Sequence, residues 1–516
     1  MIAGVLPMGD RALLVEVASL DAVLALHAAL AASAPAGVVD LVPAARTVLV
    51  RLDPAVLDLA AARRWIVETA DDDEVAAVPA APPEAELDLA YDGPDLASTA
   101  DLLGVGADEL VRRHRAASWT VAFTGFAPGF GYLVSADWPF DVPRLDAPRT
   151  RVPAGAVGLA AGSTGAYPRA TPGGWRLIGT TRARLFDPDA ASPALLAPGT
   201  RVRIREAAPV TASPPPAAVA GAAPGSGPRP DITVLAPGPQ ATVQDLGRPG
   251  RASLGVAAAG ALDRPALRLA NRLVGNDEGA AGIEVTLGGF RAVASRDLWF
   301  ALTGAIGPVT VDGRAVPLGA AVRWAAGAEL SLDWFEAGAR AYLAVRGGID
   351  GAVVLGSRAT DVLAGFGRPL AAGEAVAVGE ATAGAVPALD FVPLTRAAAV
   401  VEVELLPGPR EDWFSPAALD TLFAATWAVG TDADRVGARL EGPFLERIVS
   451  RELPSEGMVP GALQVPPSGR PTVLLADGPV TGGYPVIAVA TTASLAVLAQ
   501  ARPGTRVRFR RARRGG

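Results

Sequence analysis

Phe123-Thr-Gly-Phe-Ala-Pro-Gly-Phe-Gly-Tyr-Leu133 begins a stretch that ends with Pro172-Gly-Gly-Trp-Arg-Leu-Ile-Gly179 and is denser in glycine, proline, aromatics and arginine than a plain core requires. This density indicates a shaped site. Parts of the stretch and of the chain after it recur near the C-terminus. The repeated pairs are Val-Pro-Ala-Gly-Ala-Val at 152–157 with Val-Pro-Gly-Ala-Leu at 459–463, Gly173-Gly174-Trp175 with Gly482-Gly483-Tyr484, and Pro198-Gly-Thr-Arg-Val-Arg-Ile-Arg205 with Pro503-Gly-Thr-Arg-Val-Arg-Phe-Arg510. The sequence therefore predicts two related modules in one chain.

Short β-rich runs punctuated by Gly and Pro predict closed, barrel-like β architecture rather than alternating βαβ units. The N-terminal piece mixes strand patterns with an apolar helix over 21–32, which is typical of a small α+β domain. Helices are also expected over 95–114, 263–273 and 411–427. The predicted fold class is mainly β with α+β parts.

Two breaks in composition divide the chain. Residues 207–230 are rich in proline, alanine and glycine, as in a semi-rigid linker, and a smaller break begins at Val78. We expect a small α+β domain at 1–80, a barrel at 81–206, the linker at 207–230 and a second module at 231–516.

Composition excludes several classes of function. The chain has 516 residues, a net charge of -7, no cysteine and no lysine, so all 46 of its basic side chains other than histidine are arginines. It therefore cannot carry a thiolate nucleophile, a Schiff base, a P-loop lysine or lysine-linked biotin. The acidic balance argues against nucleic acid as a partner. Without a long apolar run or a basic start to the N-terminus, we expect no membrane span and a cytoplasmic protein.

Candidate site residues in the first module surround the glycine-rich block. His114 is one of two histidines and suits either a general base, a phosphate contact or a structural role. Pro143-Arg144 and Pro148-Arg149 repeat one dipeptide at a spacing of five, and proline holds such arginines ready for a carboxylate or phosphate. Surface salt bridges are the alternative. The turn 126–131 could bring backbone amides close to an anion.

Candidates in the second module are polar residues set among glycines. Thr242-Val-Gln-Asp-Leu-Gly-Arg248, Gly260-Ala-Leu-Asp263 and the region around Asn271 indicate a hydrogen-bonding cluster, although Asp263 also fits a helix cap. Asp245, Asp361 and Glu456 have the oxygen ligands that could hold Mg²⁺ through water, but no spacing is diagnostic of a metal site. The sequence therefore does not identify the residues that would bind a metal.

These blocks resemble a known pair of families. Residues 1–206 resemble the allophanate hydrolase subunit 1 family, associated with the B subunit of 5-oxoprolinase, through Tyr91-Asp-Gly-Pro-Asp-Leu96, Gly125-Phe-Ala-Pro-Gly-Phe130 and Pro172-Gly-Gly-Trp175. Residues 231–510 resemble its companion, the allophanate hydrolase subunit 2 family or the C subunit of 5-oxoprolinase, through 242–248, Leu355-Gly-Ser-Arg-Ala-Thr-Asp361 and Thr481-Gly-Gly-Tyr484. The chain thus resembles a fusion of two subunits, and the resemblance implies a cyclophilin-like β-barrel in each module.

The resemblance implies ATP-dependent opening of 5-oxoproline to glutamate, with ATP and Mg²⁺ as substrate and its metal. It also implies a separate partner protein that resembles the A subunit of 5-oxoprolinase. The residues expected to act in catalysis are His114, Arg144, Arg149, Asp245, Arg358, Arg435 and Glu456. Those expected to bind substrate or nucleotide are Phe126, Gly129, Tyr132, Tyr167, Gly173, Gly174, Trp175, Gln244, Arg248, Asp263, Asn271, Glu284, Asp361, Arg439, Ser455, Gln464 and Tyr484.

Two other interpretations stay open. The modules also resemble the carboxyltransferase region of urea carboxylase, although a chain without lysine needs another protein to carry biotin. Members of the family have further been described as paired regulators of a histidine kinase, which would make the chain non-catalytic. The repeat suggests a pseudo-twofold pair with a cleft between the modules, and a homo-oligomer stays open as well.

Overall fold

The structure is a computed structural model that describes residues 2–72, 82–208, 231–389, 391–396, 398 and 400–512. The predicted linker at 207–230 lies outside the described residues except for its first two positions. Strands dominate the described chain and fall into four units, which confirms the prediction of a mainly β fold. No helix in these described ranges is both long and apolar enough to cross a membrane.

The N-terminal domain is a four-stranded sheet of order β1-β2-β4-β3 with two helices. Its elements are β1 (Ile2–Pro7), β2 (Ala12–Val17), α1 (Leu20–Ala32), β3 (Val38–Pro43), β4 (Thr47–Leu52) and α2 (Leu59–Asp71). Ser19 and Asp58 cap the two helices by accepting hydrogen bonds from backbone N–H groups three residues on. Alternate residues of a strand face opposite sides, so Leu13 packs under the helices while Ala12 and Leu14 face away from them.

The first barrel spans residues 84–206. Its elements are β5 (Glu84–Leu89), α3 (Leu96–Leu102), α4 (Ala107–Ala116), β6 (Trp119–Thr124), β7 (Gly131–Val134), β8 (Arg149–Val152), β9 (Ala156–Ala160), β10 (Ser163–Ala166), β11 (Thr171–Gly173), β12 (Arg176–Thr180) and β13 (Arg201–Glu206). The main sheet has the order β12-β9-β10-β7-β6-β13-β5, and a bridge between Ala90 and Thr180 joins its two edges. The single helix predicted over 95–114 is two helices, because the chain turns at Gly104 with φ of 69°.

A double-sheet unit follows at residues 232–378, a division of the second module that the sequence did not predict. Its elements are β14 (Ile232–Pro237), β15 (Gln240–Gln244), the 3-10 turn η1 (Ala252–Leu254), α5 (Arg264–Leu273), β16 (Gly282–Thr286), β17 (Phe290–Ala294), β18 (Leu298–Ile306), β19 (Val309–Val311), β20 (Arg314–Ala315), β21 (Val322–Trp324), β22 (Glu329–Leu332), β23 (Ala337–Val345), β24 (Ile349–Asp350) and β25 (Ala375–Val378). One sheet has the order β20-β19-β22-β17-β14-β25-β24 and the other β15-β16-β23-β18-β21. Their inner faces share one core.

The second barrel occupies residues 400–511. Its elements are β26 (Val400–Pro407), the 3-10 turn η2 (Glu411–Trp413), α6 (Pro416–Ala424), β27 (Thr426–Val429), β28 (Gly437–Glu441), β29 (Glu456–Gly457), β30 (Ala462–Gln464), β31 (Thr472–Leu474), β32 (Thr481–Gly482), β33 (Val486–Ala490), α7 (Thr492–Ala499) and β34 (Arg506–Arg511). Its main strands close in the order β26-β33-β30-β31-β28-β27-β34.

The two barrels share one topology. Strands β5, β6, β7, β10, β9, β12 and β13 of the first barrel correspond to β26, β27, β28, β31, β30, β33 and β34 of the second. In each barrel the first and last strands pair in parallel, over β5 with β13 and β26 with β34. Each also carries a separate two-stranded ribbon, β8 with β11 and β29 with β32. The two related modules predicted from the repeat are thereby confirmed.

The N-terminal domain packs against the second barrel, far along the chain. Ala12, Leu14 and Leu49 share a buried apolar cluster with Met458 and Val489 of that barrel. Asp10 accepts hydrogen bonds from the backbone N–H and the hydroxyl of Thr492, both at 2.9 Å, at the start of α7. Residues that precede the predicted linker thus contact residues that follow it.

Candidate functional site

Aromatic side chains form a compact group at one end of the first barrel, which we call the aromatic cradle. Its members are Phe126, Phe130, Tyr132, Tyr167 and Trp175. The Phe130 ring lies 5.0 Å from Tyr132, 5.1 Å from Tyr167 and 5.3 Å from Trp175 between centroids, in edge-on arrangements that aromatic pairs favour. The glycine- and aromatic-rich stretch predicted as a shaped site is therefore brought together in space.

Glycines and a strained phenylalanine give the cradle its shape. A Cβ at Gly173 would lie 2.5 Å from the Tyr167 hydroxyl, so a larger residue at this position would displace that phenol. Gly174 lies next to Pro148, and Gly129 has a φ of 77°. Phe126 has a φ of 65°, rare for a bulky residue, and 38% of its surface is exposed. Strained backbone of this kind clusters at functional sites, which supports a role for this turn.

Arginines lie at the border of the cradle. Arg149 donates to an Asp95 carboxylate oxygen at 2.7 Å and to the Trp175 carbonyl oxygen at 3.4 Å, so its charge is already paired. Arg144 is exposed and has no hydrogen bond or salt bridge within the described part of the chain. Burial raises the pKa of Tyr132 and of Tyr167 to about 12, and the nearby charge of Arg144 opposes that rise at both. Both phenols are therefore neutral donors at pH 7.

The cradle lies against the second half of the chain. Thr124 donates a short hydrogen bond to the Ser253 carbonyl oxygen, and the Gly129 amide donates to the Leu254 carbonyl oxygen at 2.9 Å. Gly125 faces Thr481 so closely that a Cβ would overlap the threonine hydroxyl. The turn that shapes the cradle is therefore positioned by η1 and β32.

Two candidate residues of the second barrel, Gln464 and Tyr484, lie near β32. Gln464 is buried, and its side-chain amide contacts the Met458 sulfur at 3.3 Å and the Tyr484 carbonyl oxygen at 3.5 Å. The Tyr484 side chain is 49% exposed.

A second group, which we call the charge cluster, joins the double-sheet unit to the second barrel and comprises Glu284, Arg340, Arg435 and Asp477. Arg435 donates to both oxygens of Asp477 at 2.8 and 2.9 Å and to Glu284 at 2.6 Å. All four side chains are buried. Burial raises the pKa of Asp477 to about 6, and neighbouring carboxylates add to the effect. Burial also acts to raise the pKa of Glu284, but Arg435 and Arg340 bring it below its ordinary value.

Further predicted residues border the charge cluster. Arg248 is buried and donates to the Val354 and Ala359 carbonyl oxygens, while its Nη1 has no partner among the described residues. Burial raises the pKa of Asp361, although Arg248 and Arg435 oppose the rise. Arg169 of the first barrel donates to the Val362 and Leu363 carbonyl oxygens, which brings the first barrel to the same region.

Other candidates near this region hold loops and helices in place. Gln244 donates to Thr242 and to the Thr360 carbonyl oxygen. Asp245 accepts from the Ser357 hydroxyl at 2.6 Å and from the Arg358 amide at 2.7 Å, and Arg358 itself pairs with Asp350. Asp263 caps α5, as the sequence suggested.

Four further candidates also lie outside both groups. Asn271 donates to the Glu278 and Ala280 carbonyl oxygens, and Arg439 forms an exposed pair with Asp432. Glu456 pairs with Arg410, which also binds Glu16 of the N-terminal domain. The backbone carbonyl of Ser455 accepts from the Ala45 amide. These positions stabilise turns and the contact between domains.

The structure argues against an acid or base role for His114. Its ring is fully buried, with Nδ1 2.8 Å from the Tyr91 hydroxyl and Nε2 3.0 Å from the Thr164 hydroxyl. Burial lowers the pKa of His114 to about 3. With both nitrogens engaged and no access to solvent, this histidine supports the core of the first barrel, the structural role that the sequence left open.

The suggested Mg²⁺ ligands do not come together either. Glu456 lies in its ion pair with Arg410, away from Asp245 and Asp361, and no group of three or more acidic or histidine side chains in the described ranges is placed to hold a metal ion. Asp245 instead accepts hydrogen bonds from the Ser357 hydroxyl and the Arg358 amide, and Asp361 accepts one from the Ala364 amide.

The sequence did not identify two members of the charge cluster, Arg340 and Asp477, or two of its neighbours, Tyr342 and Gln500. Asp477 follows a strand in Asp-Gly-Pro, a turn sequence that could have marked it. Arg340 and Tyr342 lie in the fully buried strand β23, and nothing in the local pattern distinguishes them from core positions. The Tyr342 hydroxyl donates to Glu284 at 2.8 Å, and Gln500 donates to Asp263 at 2.8 Å.

Comparison with known proteins agrees with this two-part architecture. Residues 3–196 match the family described as carboxyltransferase domain, subdomain C and D, and residues 254–511 match carboxyltransferase domain, subdomain A and B. The crystal structure of TTHA0988 superposes with a TM-score of 0.85 at 35% identity, covering 97% of this chain and 99% of that one. The whole arrangement of units therefore occurs in another single chain.

Curated relatives match the two halves separately. The 5-oxoprolinase C subunit of Escherichia coli K12 is 39% identical over 282 residues, which are 54% of this chain and 90% of that protein. The 5-oxoprolinase B subunit of Escherichia coli O157:H7 is 49% identical over 111 residues, which are 22% of this chain and 51% of that protein. Urea amidolyase of Saccharomyces cerevisiae is 32% identical over 303 residues, which are 54% of this chain but 16% of that much longer protein. The chain belongs to the carboxyltransferase-domain family and carries the C and D subdomains and the A and B subdomains, fused in one polypeptide.

Proposed function

We propose that this chain is the combined B and C component of an ATP-dependent 5-oxoprolinase, which opens 5-oxoproline to glutamate and works with a separate A component. The observation that carries the proposal is the match of the two halves to two differently named subunits of one enzyme. Subunits that act together are natural candidates for fusion, and here Thr124 and Gly129 bond directly across the two halves.

The chemistry that this function requires follows from the stability of a lactam. Its nitrogen lone pair is delocalised into the carbonyl group, so the carbon is a poor electrophile. Transfer of the γ-phosphoryl group of ATP to the lactam oxygen forms a C–O–P linkage and releases ADP. Water then adds to the carbon and the C–N bond breaks to give an amine and an acyl phosphate, which a second water attacks at carbon to release glutamate and phosphate.

Charge neutralisation is what the protein must supply to such a reaction. Mg²⁺ bound to ATP, as part of the substrate, and arginine side chains would balance the charge on the transferring phosphoryl group. Of the four arginines expected to act in catalysis, Arg149, Arg358 and Arg435 are bound to carboxylates in the structure. Arg144 has no such partner within the described residues, so its guanidinium is available to a substrate.

The test is release of ADP and glutamate from 5-oxoproline with ATP and Mg²⁺, measured for this chain alone and with the A component encoded in its own genome. Glutamate that forms only with both proteins present supports an incomplete enzyme that needs its partner. Absence of glutamate from both mixtures contradicts the proposal.

A second function is favoured by the match to urea amidolyase. In that case the chain would be the carboxyltransferase-like component of a biotin-dependent urea or amide carboxylase. Because the sequence has no lysine, biotin would have to arrive on another protein. Consumption of carboxylated biotin on an added carrier, stimulated by urea and unaffected by 5-oxoproline, would support this function over the first.

A further inference from the structure

We propose that Arg144 and the aromatic cradle form the subsite that binds the carboxylate and ring of a small cyclic amide acid. This proposal rests on the proposed function and makes it more specific. It assigns the binding of 5-oxoproline to the first barrel, where Arg144 binds the carboxylate.

The backbone around Arg144 is held on both sides while its side chain is free. The Pro143 carbonyl oxygen accepts a hydrogen bond from the Arg176 side chain at 2.9 Å, and the Leu145 amide donates to the Gly174 carbonyl oxygen at 2.8 Å. The segment is thus fixed to the strand region that carries Trp175. The Arg144 guanidinium, in contrast, makes no salt bridge or hydrogen bond within the described residues. A fixed backbone with an uncommitted cation is suited to anion binding, since little ordering is required on binding.

Two phenols lie near that cation. The Leu145 amide, next to Arg144, bonds to Gly174, and both neighbours of that glycine lie against the phenols. The Trp175 ring lies 5.5 Å from the Tyr132 ring between centroids, and a Cβ at Gly173 would lie 2.5 Å from the Tyr167 hydroxyl. The Tyr132 hydroxyl also has no hydrogen-bonding partner among the described residues. A guanidinium fork and a neutral phenol are both donors, and a carboxylate is purely an acceptor. The pair therefore presents the complement of a carboxylate next to aromatic surface.

The charge and the aromatic lining of the subsite favour a small acid. Arg149 is neutralised by Asp95, and the Arg176 side chain donates to the Pro143 carbonyl oxygen. Arg144 therefore offers an unpaired guanidinium that matches one carboxylate, whereas a triphosphate carries several negative charges. The exposed Phe126 ring and the half-buried Tyr132 ring provide apolar surface for a five-membered ring, and the buried Trp175 ring packs against Tyr132. These features favour a small ring acid over a nucleotide at this place.

The second barrel lacks this arrangement at the equivalent place. The turn 125–130 between β6 and β7 corresponds to the turn 430–436 between β27 and β28, and the segment after β10 corresponds to the one after β31. In the first barrel these segments bring Phe126 and Phe130 against Tyr167. In the second barrel they bring Arg435 against Asp477, where both charges are already paired. The combination of aromatic rings and a free cation is thus specific to the first barrel.

The test measures binding by isothermal titration calorimetry on the full chain, without ATP and without the A component. The probes are L-5-oxoproline, 2-pyrrolidinone, which is the same ring without the carboxylate, and inorganic phosphate. We expect 5-oxoproline to bind, Arg144→Gln to raise its Kd about tenfold or more, and 2-pyrrolidinone to bind weakly with no effect of the substitution. Tyr132→Phe should raise the Kd for 5-oxoproline about threefold to tenfold through loss of one hydrogen bond.

The matched control is Arg182→Gln, which removes an exposed arginine that follows β12. It should leave the Kd within about twofold, because no partner of the cradle is changed. Equal Kd values for wild type and Arg144→Gln, or no binding of 5-oxoproline by the wild type, would overturn the proposal. Displacement of 5-oxoproline by phosphate at matched concentration would also overturn it, by assigning Arg144 to phosphoryl groups.

The outcome is separable from the fate of the proposed function. If 5-oxoproline binds through Arg144 but no glutamate forms with the A component, the subsite stands and the 5-oxoprolinase proposal fails. If glutamate forms and Arg144→Gln changes neither the Kd nor the KM, the function stands and the subsite fails.

Discussion

Arg435 and Asp477 form a two-pronged ion pair, at 2.8 and 2.9 Å, in the interior between the second barrel and the double-sheet unit. The same guanidinium reaches Glu284 of the double-sheet unit at 2.6 Å. One side chain thus binds a carboxylate of its own barrel and another from the neighbouring unit. The relationship makes Arg435 a connector between units, whereas the family resemblance places this residue among those expected to act in catalysis.

Replacement of Arg435 by Ala should destabilise the protein by about 3–5 kcal/mol, because it leaves the carboxylates of Glu284 and Asp477 buried without their partner. Urea unfolding monitored by circular dichroism measures this change. The control is Arg439→Ala, which breaks an exposed pair with Asp432 and should change stability by less than about 1 kcal/mol. Equal effects of the two substitutions would contradict the connector role.

His114 should make the folded protein less stable at low pH. The pKa of His114 is lowered to about 3 by burial in the folded state, whereas an unfolded chain has a histidine pKa near 6.5. Below about pH 6.5 the histidine of the unfolded chain binds a proton, whereas the buried His114 of the folded protein stays neutral. The contribution of His114 to the free energy of unfolding is therefore present above that pH and is lost as pH falls. Between pH 7 and pH 5, wild type should lose about 2 kcal/mol more than His114→Gln, at about 1.4 kcal/mol per pH unit. If the free energies of unfolding of wild type and His114→Gln change by the same amount between pH 7 and pH 5, the pKa of His114 is not depressed.

Contact between the barrels at Gly125 and Thr481 should show as coupling between mutations. Gly125→Ala should destabilise the chain by about 1–3 kcal/mol, because the added Cβ overlaps the Thr481 hydroxyl. Thr481→Ala removes that hydroxyl and should recover part of the loss in the double variant. Thermal unfolding of the four proteins measures the coupling, and strictly additive effects would contradict this contact. Gly162→Ala, where an added Cβ meets nothing within 4 Å, is the control.

The proposed chemistry makes a prediction about oxygen atoms. If ATP phosphorylates the lactam oxygen and the second water attacks carbon, that oxygen leaves with the phosphate. 5-Oxoproline labelled with ¹⁸O in the lactam carbonyl should therefore yield labelled inorganic phosphate, detected by mass spectrometry. Retention of all the label in glutamate would exclude this sequence of bond changes.

The fold was predictable from the sequence to the level of modules, because turn residues and repeated motifs are local signals. The pairs 152–157 with 459–463 and Gly173-Gly174 with Gly482-Gly483 predicted two related modules, and the structure shows two barrels of equal strand order. The double-sheet unit was not separated from the second barrel, because the strand and turn texture of the sequence is the same on both sides of that border.

The candidate site was predictable in composition but not in pairing. Phe126, Tyr132, Tyr167 and Trp175 were found because aromatic residues among glycines are conspicuous, and the structure brings them together. Which arginines are free was not predictable, since Arg149 meets Asp95 and Arg435 meets Glu284 only after folding. His114 illustrates the same limit, because burial rather than sequence context decides its protonation.

Completion of a 5-oxoprolinase by this chain is best tested with a time course of glutamate and ADP. The mixture contains the purified chain, the A component, MgATP and 5-oxoproline. We predict that both products appear in equal molar amounts and that omission of this chain abolishes both. ADP formation without glutamate, or glutamate formation that is unchanged when this chain is left out, would contradict the proposed function.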